Sequence, residues 1–474
     1  MNNFVKTKIL ATIGPATSTK ENLEAIVNAG INGIRLNFSH GDFNFFENIF
    51  NTINEICVSK SLPIPILVDL QGPKIRIGQL SKPEIELKSG DKIEITAIDL
   101  IGTAEKISTS YKQLPQDANI GDLILIDDGL IKLQIVDKKK ESVLCNIVEG
   151  GILKPKKGMN LPGMKLSTPS VTENDYKNLE FALQHRVDYI ALSFVRNASD
   201  ILTLREWLRK GGFDKPIIAK IEKQEAVENF ESILSVADGI MIARGDLGVE
   251  LQPHNVPIIQ KRLIRRCNEA GKLVITATQM LESMVNNLIP TRAEASDVAN
   301  AVWDGTDVVM LSAETSVGKY PAQTVRVMKE IISNAECSHD FETLINFEVP
   351  SEIQEKLFDS MNKGICAISK QINAKAIVAF TSKGNTPNSL AKFKPNAKII
   401  AVTDNFDTMN KLNLRWGVTS LYCKDISYRY NAAGEARNLI TENKLVEKGD
   451  LVIYTEGGLK ISNIRENWIR FEVI

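Results

Sequence analysis

Short apolar runs recur along this chain, and most stop abruptly at polar or charged residues. KILATIGP closes near Gly14, GIRLNFSHG at Ser39 and His40, and PILVDLQGP at Asp69. YIALSFVRN closes at Ser193 to Arg196, PIIAKIEK at Lys220 and Glu222, and GIMIARGDLG at Arg244 to Asp246. LVITATQML ends on Thr278 and Gln279, and VVMLSAET on Ser312 and Glu314. Each run is rich in Ile, Val and Leu, the pattern of a strand buried on both faces. Between them, FENIFNTINEICVSK, ILTLREWLRKGG, AVENFESILSVA, VPIIQKRLIRRCNEAG, TRAEASDVANAVWDG and AQTVRVMKEII carry apolar residues at i, i+3 and i+4, which predicts helices. Ser18 and Glu21 have capping-box spacing at the first helix, and Gly30 stands at its C-cap.

Strand and helix therefore alternate eight times. Parallel neighbours need crossovers, so the alternation predicts an α/β fold built on a closed (β/α)8 TIM barrel, with the polar strand ends gathered on its catalytic face. The alternation breaks once, between the third strand and the helix pattern DYKNLEFALQHR. There EIELKSG, KIEITAI, LILIDDGLIKLQIV and SVLCNIVEG are short alternating strands with Gly-Asp and Asp-Gly turns. Residues 72–167 are read as an inserted small β-barrel lid domain, and residues 1–71 with 168–338 as the barrel. DFETLINFEVP reads as a linker or short helix. The helix LFDSMNKGICAISKQI and the strands in AKAIVAFTSKGNT, AKIIAVTD, VTSLYC and GDLVIYTEG then predict a C-terminal α/β domain over residues 339–474, with a smaller, mostly parallel sheet.

Composition narrows the function classes. A chain of 474 residues accommodates two or three domains, and 43 % hydrophobic with 24 % charged residues is ordinary for a globular protein. The formal net charge of -1 offers no field for nucleic acid or an anionic membrane. DKKK at Asp137 to Lys140 reads as a solvated hairpin turn. No run reaches the roughly 18 apolar residues of a membrane span, and MNNFVKTKIL has no h-region of a signal peptide. Six scattered cysteines without a CxxC pair, and four scattered histidines, predict reduced buried thiols rather than disulfides or a zinc site.

The strand ends collect Arg35, Asn37, Ser39, His40, Asp69, Arg76, Ser193, Lys220, Glu222, Arg244, Asp246, Thr278, Ser312 and Glu314. Gathering such groups on one face without a ligand would cost solvation. Glu222 and Asp246, on adjacent strands, suit Mg²⁺, which takes one or two carboxylates plus substrate oxygens. Lys220 lies at i, i+2 from Glu222 and so faces the same way, where an ammonium beside the metal suits a transferring phosphoryl group. Arg35 and Arg76 offer forks for phosphate or carboxylate. Gly318-Lys319 and Gly271-Lys272 lack the remainder of a P-loop, and no GxGxxG occurs.

IRLNFSHG, DLQGPKIR, KKGMNLPG, AKIEK, ARGDLGVE, TATQMLESM, PTRAEASDVANAVWDGTDVVMLSAET and GKYPAQTV, in this order, closely resemble the pyruvate kinase family across essentially the whole chain. The resemblance implies phosphoryl transfer from phosphoenolpyruvate to ADP, the final step of glycolysis, in a cytoplasmic homotetramer. By position, Glu222 and Asp246 would hold Mg²⁺, for which Mn²⁺ can substitute. Lys220 would contact the phosphoryl group and stabilise the enolate, and Arg35 would bind the phosphate with Ser193 nearby. Gly245, Asp246 and Thr278 would hold the carboxylate. Asn37, His40, Arg76 and Lys157 match nucleotide-side positions. Thr278 and Ser312 match positions tied to enolate protonation, for which a water chain ending near Glu314 is chemically easier than a bare hydroxyl.

One departure concerns the monovalent cation. Many members hold K⁺ through Asn37, Ser39 and Asp69 plus a threonine, and carry a glutamate four residues beyond it. Here those positions are Leu70 and Lys74. The Lys74 ammonium is expected to replace K⁺, so K⁺ should not be required. In the C-terminal domain, Thr381, Ser382, Lys383, Gly384, Asn385 and Thr386 have the composition of a phosphate cradle where relatives bind an effector, such as a sugar phosphate or AMP. Two rival readings are another Mg²⁺-dependent phosphoenolpyruvate or pyruvate enzyme, such as an aldolase, and a binding protein that has lost catalysis. The first has no use for the lid, and the second should have lost Lys220, Glu222, Asp246 or Thr278.

Overall fold

A computed structural model of the protein describes residues 4–338, 341, 353–424, 429–461 and 464–474. Except for Phe341, the segment DFETLINFEVP lies outside these residues. The eight apolar runs form Lys8–Ile13, Gly33–Asn37, Ile66–Asp69, Tyr189–Leu192, Ile217–Ile221, Gly239–Ala243, Leu273–Ala277 and Val308–Leu311, all parallel, with the first strand pairing with the eighth to close the barrel. Strand alternation divides each run between two cores. Leu10, Leu67, Ile218, Met241, Ile275 and Met310 fill the lumen, while Ile9, Val68, Ala219, Ile240, Val274 and Val309 pack under the helices. This double burial is why the runs show no polar alternation.

The bottom of the barrel is sealed by a repeated device. Asn32, Asp188, Asp238 and Asp307 each precede an even-numbered strand and accept the backbone N–H at or near the start of the strand before it. The acceptors meet Ile9 at 2.9 Å, Ile66 at 2.8 Å, Ile217 at 2.8 Å and Val274 at 3.1 Å. Each bond satisfies a donor that would otherwise be orphaned at the barrel rim. The C-terminal domain closes the same end. Leu414 is fully buried among the lumen residues, Lys394 reaches Asp307 at 2.7 Å, and Asn413 donates to the Asn32 carbonyl at 3.0 Å. The main cleft lies at the opposite end, beside the strand C-termini.

The chain leaves the barrel at Gly72, whose φ of +65° and close approach to Phe194 exclude a side chain: a Cβ there would lie 2.8 Å from the Phe194 ring. One carboxylate ties exit to return. Asp175, in the capping box of the returning helix Glu173–Ala182, accepts the N–H groups of Gln71 and Gly72 at 3.0 and 3.2 Å. The intervening excursion forms a six-stranded and a two-stranded sheet around a core of its own that includes Ile93, Ile124, Leu133 and Leu153. DKKK sits at the hairpin between Ile131–Lys138 and Ser142–Glu149.

The C-terminal domain has four parallel strands, Ala376–Phe380, Lys398–Thr403, Val418–Tyr422 and Leu451–Ile461. The sequence reading missed its last strand, Ile464–Val473, which is antiparallel and lies at the sheet edge. Other expectations need correction. The first helix is capped by Thr19, which accepts from the Asn22 N–H, while the Ser18 hydroxyl turns back to the Pro15 carbonyl. AVENFESILSVA is broken at Asn229 into Gln224–Glu228 and Phe230–Val236. All six cysteines are free, but Cys337 is exposed, not buried. Among the described residues, no helix is long and apolar enough to cross a membrane.

Candidate active site

The ends of the second, third and fifth strands meet at one buried charge cluster. Asp69, 1 % exposed, receives the Arg35 guanidinium through Nε and Nη2, both at 2.7 Å, and the Lys220 ammonium at 3.2 Å. Lys220 also lies 2.9 Å from Glu222 and donates to the Ser193 hydroxyl at 2.6 Å. Burial alone would lower the lysine's pKa, but the charges of Asp69 and Glu222 outweigh it and hold the ammonium well above its ordinary value. Burial likewise works against the Asp69 carboxylate, yet Lys220 and Arg35 hold it below its usual range. Lys220 is thus a fixed cation, not a proton carrier, at neutral pH.

Glu222 accepts the Phe194 N–H at 2.8 Å through one oxygen and lies 2.9 Å from the Lys220 ammonium through the other. Burial raises its pKa, Lys220 opposes the rise, and the like charge of Asp246 adds to it; the net direction is upward. Glu222 and Asp246 lie close enough for their like charges to act on each other, and two carboxylates are what Mg²⁺ takes when substrate supplies the remaining oxygens. Among the described residues there is no group of three or more His, Cys, Asp or Glu that could hold a metal.

Asp246 stands in the first turn of Arg244–Leu251, a helix that begins directly after the sixth strand. The Gly245 N–H donates to the Thr278 hydroxyl at 2.8 Å, so the two predicted carboxylate-holding elements are adjacent. Thr278 has φ +68° and Gln279 φ +52°, a conformation that a β-branched residue adopts only under strain, at a cost of about 1–3 kcal/mol. Arg244 holds this turn: its Nη2 donates to the Thr278 carbonyl at 2.6 Å and its Nη1 to Asp297 at 2.8 Å. The sequence placed Arg244 in the ring of strand ends without a role, because a threonine gives no sign of a left-handed backbone that must be clamped. Lys223 and Glu250, a buried ion pair beside the two acids, were missed altogether.

Ser312 has a buried hydroxyl with no partner among the described residues and lines the main cleft. Glu314 is fully buried and its oxygens accept the N–H groups of Ser312 at 2.6 Å and Leu281 at 3.1 Å. It ties two loops together, while Ser312 lines the cleft.

On the opposite rim, Asn37 accepts the Ser39 N–H at 3.2 Å, and exposed His40 is lowered in pKa by burial and by the charges of Lys74, Arg76 and Arg35. Lys157 is paired with Asp127 inside the lid at 2.8 Å, and the backbone of Arg76 bridges Gly158 beside it. Lys74 is exposed and makes no ion pair among the described residues; Asp69 is already met by Arg35 and Lys220. Leu70 packs into the core, and only its backbone carbonyl, which accepts from Ser193 at 2.7 Å, faces polar groups. A cleft of about 1530 Å³ runs between lid residues Leu125, Asp128 and Gly129 and barrel residues Asp246, Thr278 and Ser312.

The chain is similar to known proteins along most of its length. A family model described as pyruvate kinase, barrel domain, matches residues 4–325, and one described as pyruvate kinase, alpha/beta domain, matches residues 359–470. Curated pyruvate kinases of Staphylococcus aureus strains MRSA252 and USA300 are each 42 % identical over 454 residues, covering 95 % of this chain and 77 % of theirs. A solved pyruvate kinase from Cryptosporidium parvum superposes with a TM-score of 0.92 at 36 % identity, covering 98 % of this chain and 96 % of that one.

Proposed function

The chain belongs to the pyruvate kinase family, and from that premise we propose how its own residues move a phosphoryl group from phosphoenolpyruvate to ADP. The observation that carries the assignment of roles is the Lys220 ammonium, fixed between Asp69, Glu222 and Ser193 at the catalytic end of the barrel. Arg35 and Lys220 receive the phosphoryl group, and Gly245, Asp246 and Thr278 receive the carboxylate. Glu222 and Asp246 would hold Mg²⁺, or Mn²⁺ in its place, which supplies charge neutralisation for the phosphoryl oxygens. A terminal phosphate oxygen of ADP attacks phosphorus, the bond from phosphorus to the enol oxygen breaks, and Lys220 offsets the charge left on that oxygen. Protonation of the enolate carbon, from a water seated against Ser312 and Thr278, yields pyruvate. His40, Asn37, Arg76 and Lys157 form the nucleotide side, closed from above by the 72–167 lid. The 339–474 domain carries assembly and regulation. We assign a homotetramer and a cytoplasmic location on family grounds.

No K⁺ requirement is expected. The Leu70 side chain is buried in the core and offers no oxygen, and Lys74 supplies a positive charge near His40. Turnover in buffer free of K⁺ and Na⁺ should equal turnover at high KCl. Strong activation by KCl would defeat the role given to Lys74.

The Thr381–Thr386 loop is read as an effector cradle. Thr381 accepts the Gly384 N–H at 2.8 Å, leaving Ser382, Lys383 and Asn385 exposed at the start of Asn385–Lys392. Gly384 abuts Leu412, two residues before the Leu414 plug, so a shift of the loop has a short packed route to the barrel floor. Among fructose 1,6-bisphosphate, ribose 5-phosphate and AMP, one should lower the half-saturating phosphoenolpyruvate concentration, and Lys383→Ala should abolish that response. Silence toward all three would make the loop a plain strand–helix turn.

A further inference from the structure

Lys223 and Glu250 form an ion pair of 3.3 Å, and both residues are more than nine-tenths buried. Their places in the chain matter more than their burial. Lys223 follows Glu222 directly. Glu250 lies four residues after Asp246 on the helix Arg244–Leu251, one turn further along the same face. The pair thus links the loop that carries one acid of the divalent-cation pair to the helix that carries the other. Lys223 and Asp246 line one small pocket of about 80 Å³ with Asp128 and Asn160 of the lid, while Glu250 and Asp246 line the main cleft. A buried ion pair adds little net stability compared with well-packed apolar residues, so its directional geometry is its distinguishing property. Gly245 and Gly248 give the helix's first turns little side-chain packing: a Cβ at Gly245 would touch only Thr278, and one at Gly248 only Val256. The ion pair therefore ties this helix to the loop after the fifth strand, in addition to the buried Leu247 and the Gly245–Thr278 bond.

We propose that Lys223 and Glu250 are positioning residues that set the separation of Glu222 and Asp246, and hence the affinity of the free enzyme for its divalent cation. The proposal rests on the reading that those two acids hold the cation. The test is the dissociation constant of Mn²⁺ from the ligand-free enzyme, followed by electron paramagnetic resonance, with the thermal midpoint measured alongside. Lys223→Met should weaken Mn²⁺ about tenfold, in the range found when groups orienting metal ligands are removed. Lys223→Arg, which keeps the ion pair, should restore affinity. The double variant Lys223→Met/Glu250→Leu replaces the pair by apolar groups and should regain the parent's thermal midpoint while still binding Mn²⁺ about tenfold more weakly. Parental Mn²⁺ affinity in the double variant, or in Lys223→Met alone, overturns the proposal. Glu222→Gln separates the two levels. If it leaves Mn²⁺ binding intact, the carboxylate reading itself fails; if it weakens binding while the Lys223 variants do not, only the positioning role fails.

Discussion

A Lys220→Met variant is expected to fold, to bind phosphoenolpyruvate, and to lose ADP-dependent pyruvate formation by about 10³-fold or more, the scale set by removing a fixed cation or donor from a phosphoryl-transfer or oxyanion site. The linear Met side chain keeps most of the volume, and Asp69 retains Arg35 as a partner at 2.7 Å. The loss should fall on kcat more than on KM, because the charge that Lys220 offsets grows as the bond to the enol oxygen breaks. The ammonium's pKa is held above its ordinary value, so the residual activity of the variant should keep the pH profile of the parent. A coupled assay of pyruvate release across pH checks both statements. Residual turnover within tenfold of the parent, or a profile that changes shape, would remove Lys220 from the centre of the mechanism.

That Lys220 could be singled out at all follows from how a barrel sorts its residues. The strands are buried on both faces, so any polar group in or after an apolar run had to lie at a rim, and Lys220 and Glu222 at i, i+2 had to share a face. The same logic reached Arg35, Asp69 and Asp246. It could not reach the Lys223–Glu250 pair, whose members are 27 positions apart and unite only when a strand loop meets a helix. Nor did it reach Leu414, one leucine in KLNLRWGV until the C-terminal domain carries it into the lumen. The helix break at Asn229 was hidden because both halves keep one apolar face, and the shift of the cap from Ser18 to Thr19 is a choice between neighbouring hydroxyls that spacing does not decide. Lys74 shows the limit from the other side. Its charge is visible in sequence, while the structure shows Asp69 already met by Arg35 and Lys220 and no ion pair to Lys74 among the described residues.

Asp69 is where that competition concentrates, and Asp69→Asn should have the second largest effect. The amide preserves shape but removes the charge that faces two cations whose side chains are each 11 % exposed, Arg35 and Lys220. Removing one partner of a buried ion pair costs about 3–5 kcal/mol, because the remaining charge is left uncompensated. Lys220 keeps Glu222, but Arg35 retains only the Thr12 hydroxyl at 3.1 Å, so the loss should be centred on Arg35. The barrel's thermal transition should fall accordingly, and kcat/KM for phosphoenolpyruvate should drop about 10²-fold as the guanidinium proposed to bind phosphate loses its orientation. Acid stability gives an independent reading. The folded carboxyl lies below its ordinary value of 3.8, so its contribution is complete above that value and disappears as pH falls through the lower folded value. The parent should therefore lose part of its stability on acidification below about pH 4, and the Asp69→Asn protein, already without that contribution, should show a shallower loss over the same interval. Urea midpoints for both proteins from pH 3 to pH 7 provide the comparison. Parallel curves would mean that Asp69 does not anchor the cluster and that Arg35 and Lys220 are held by other groups.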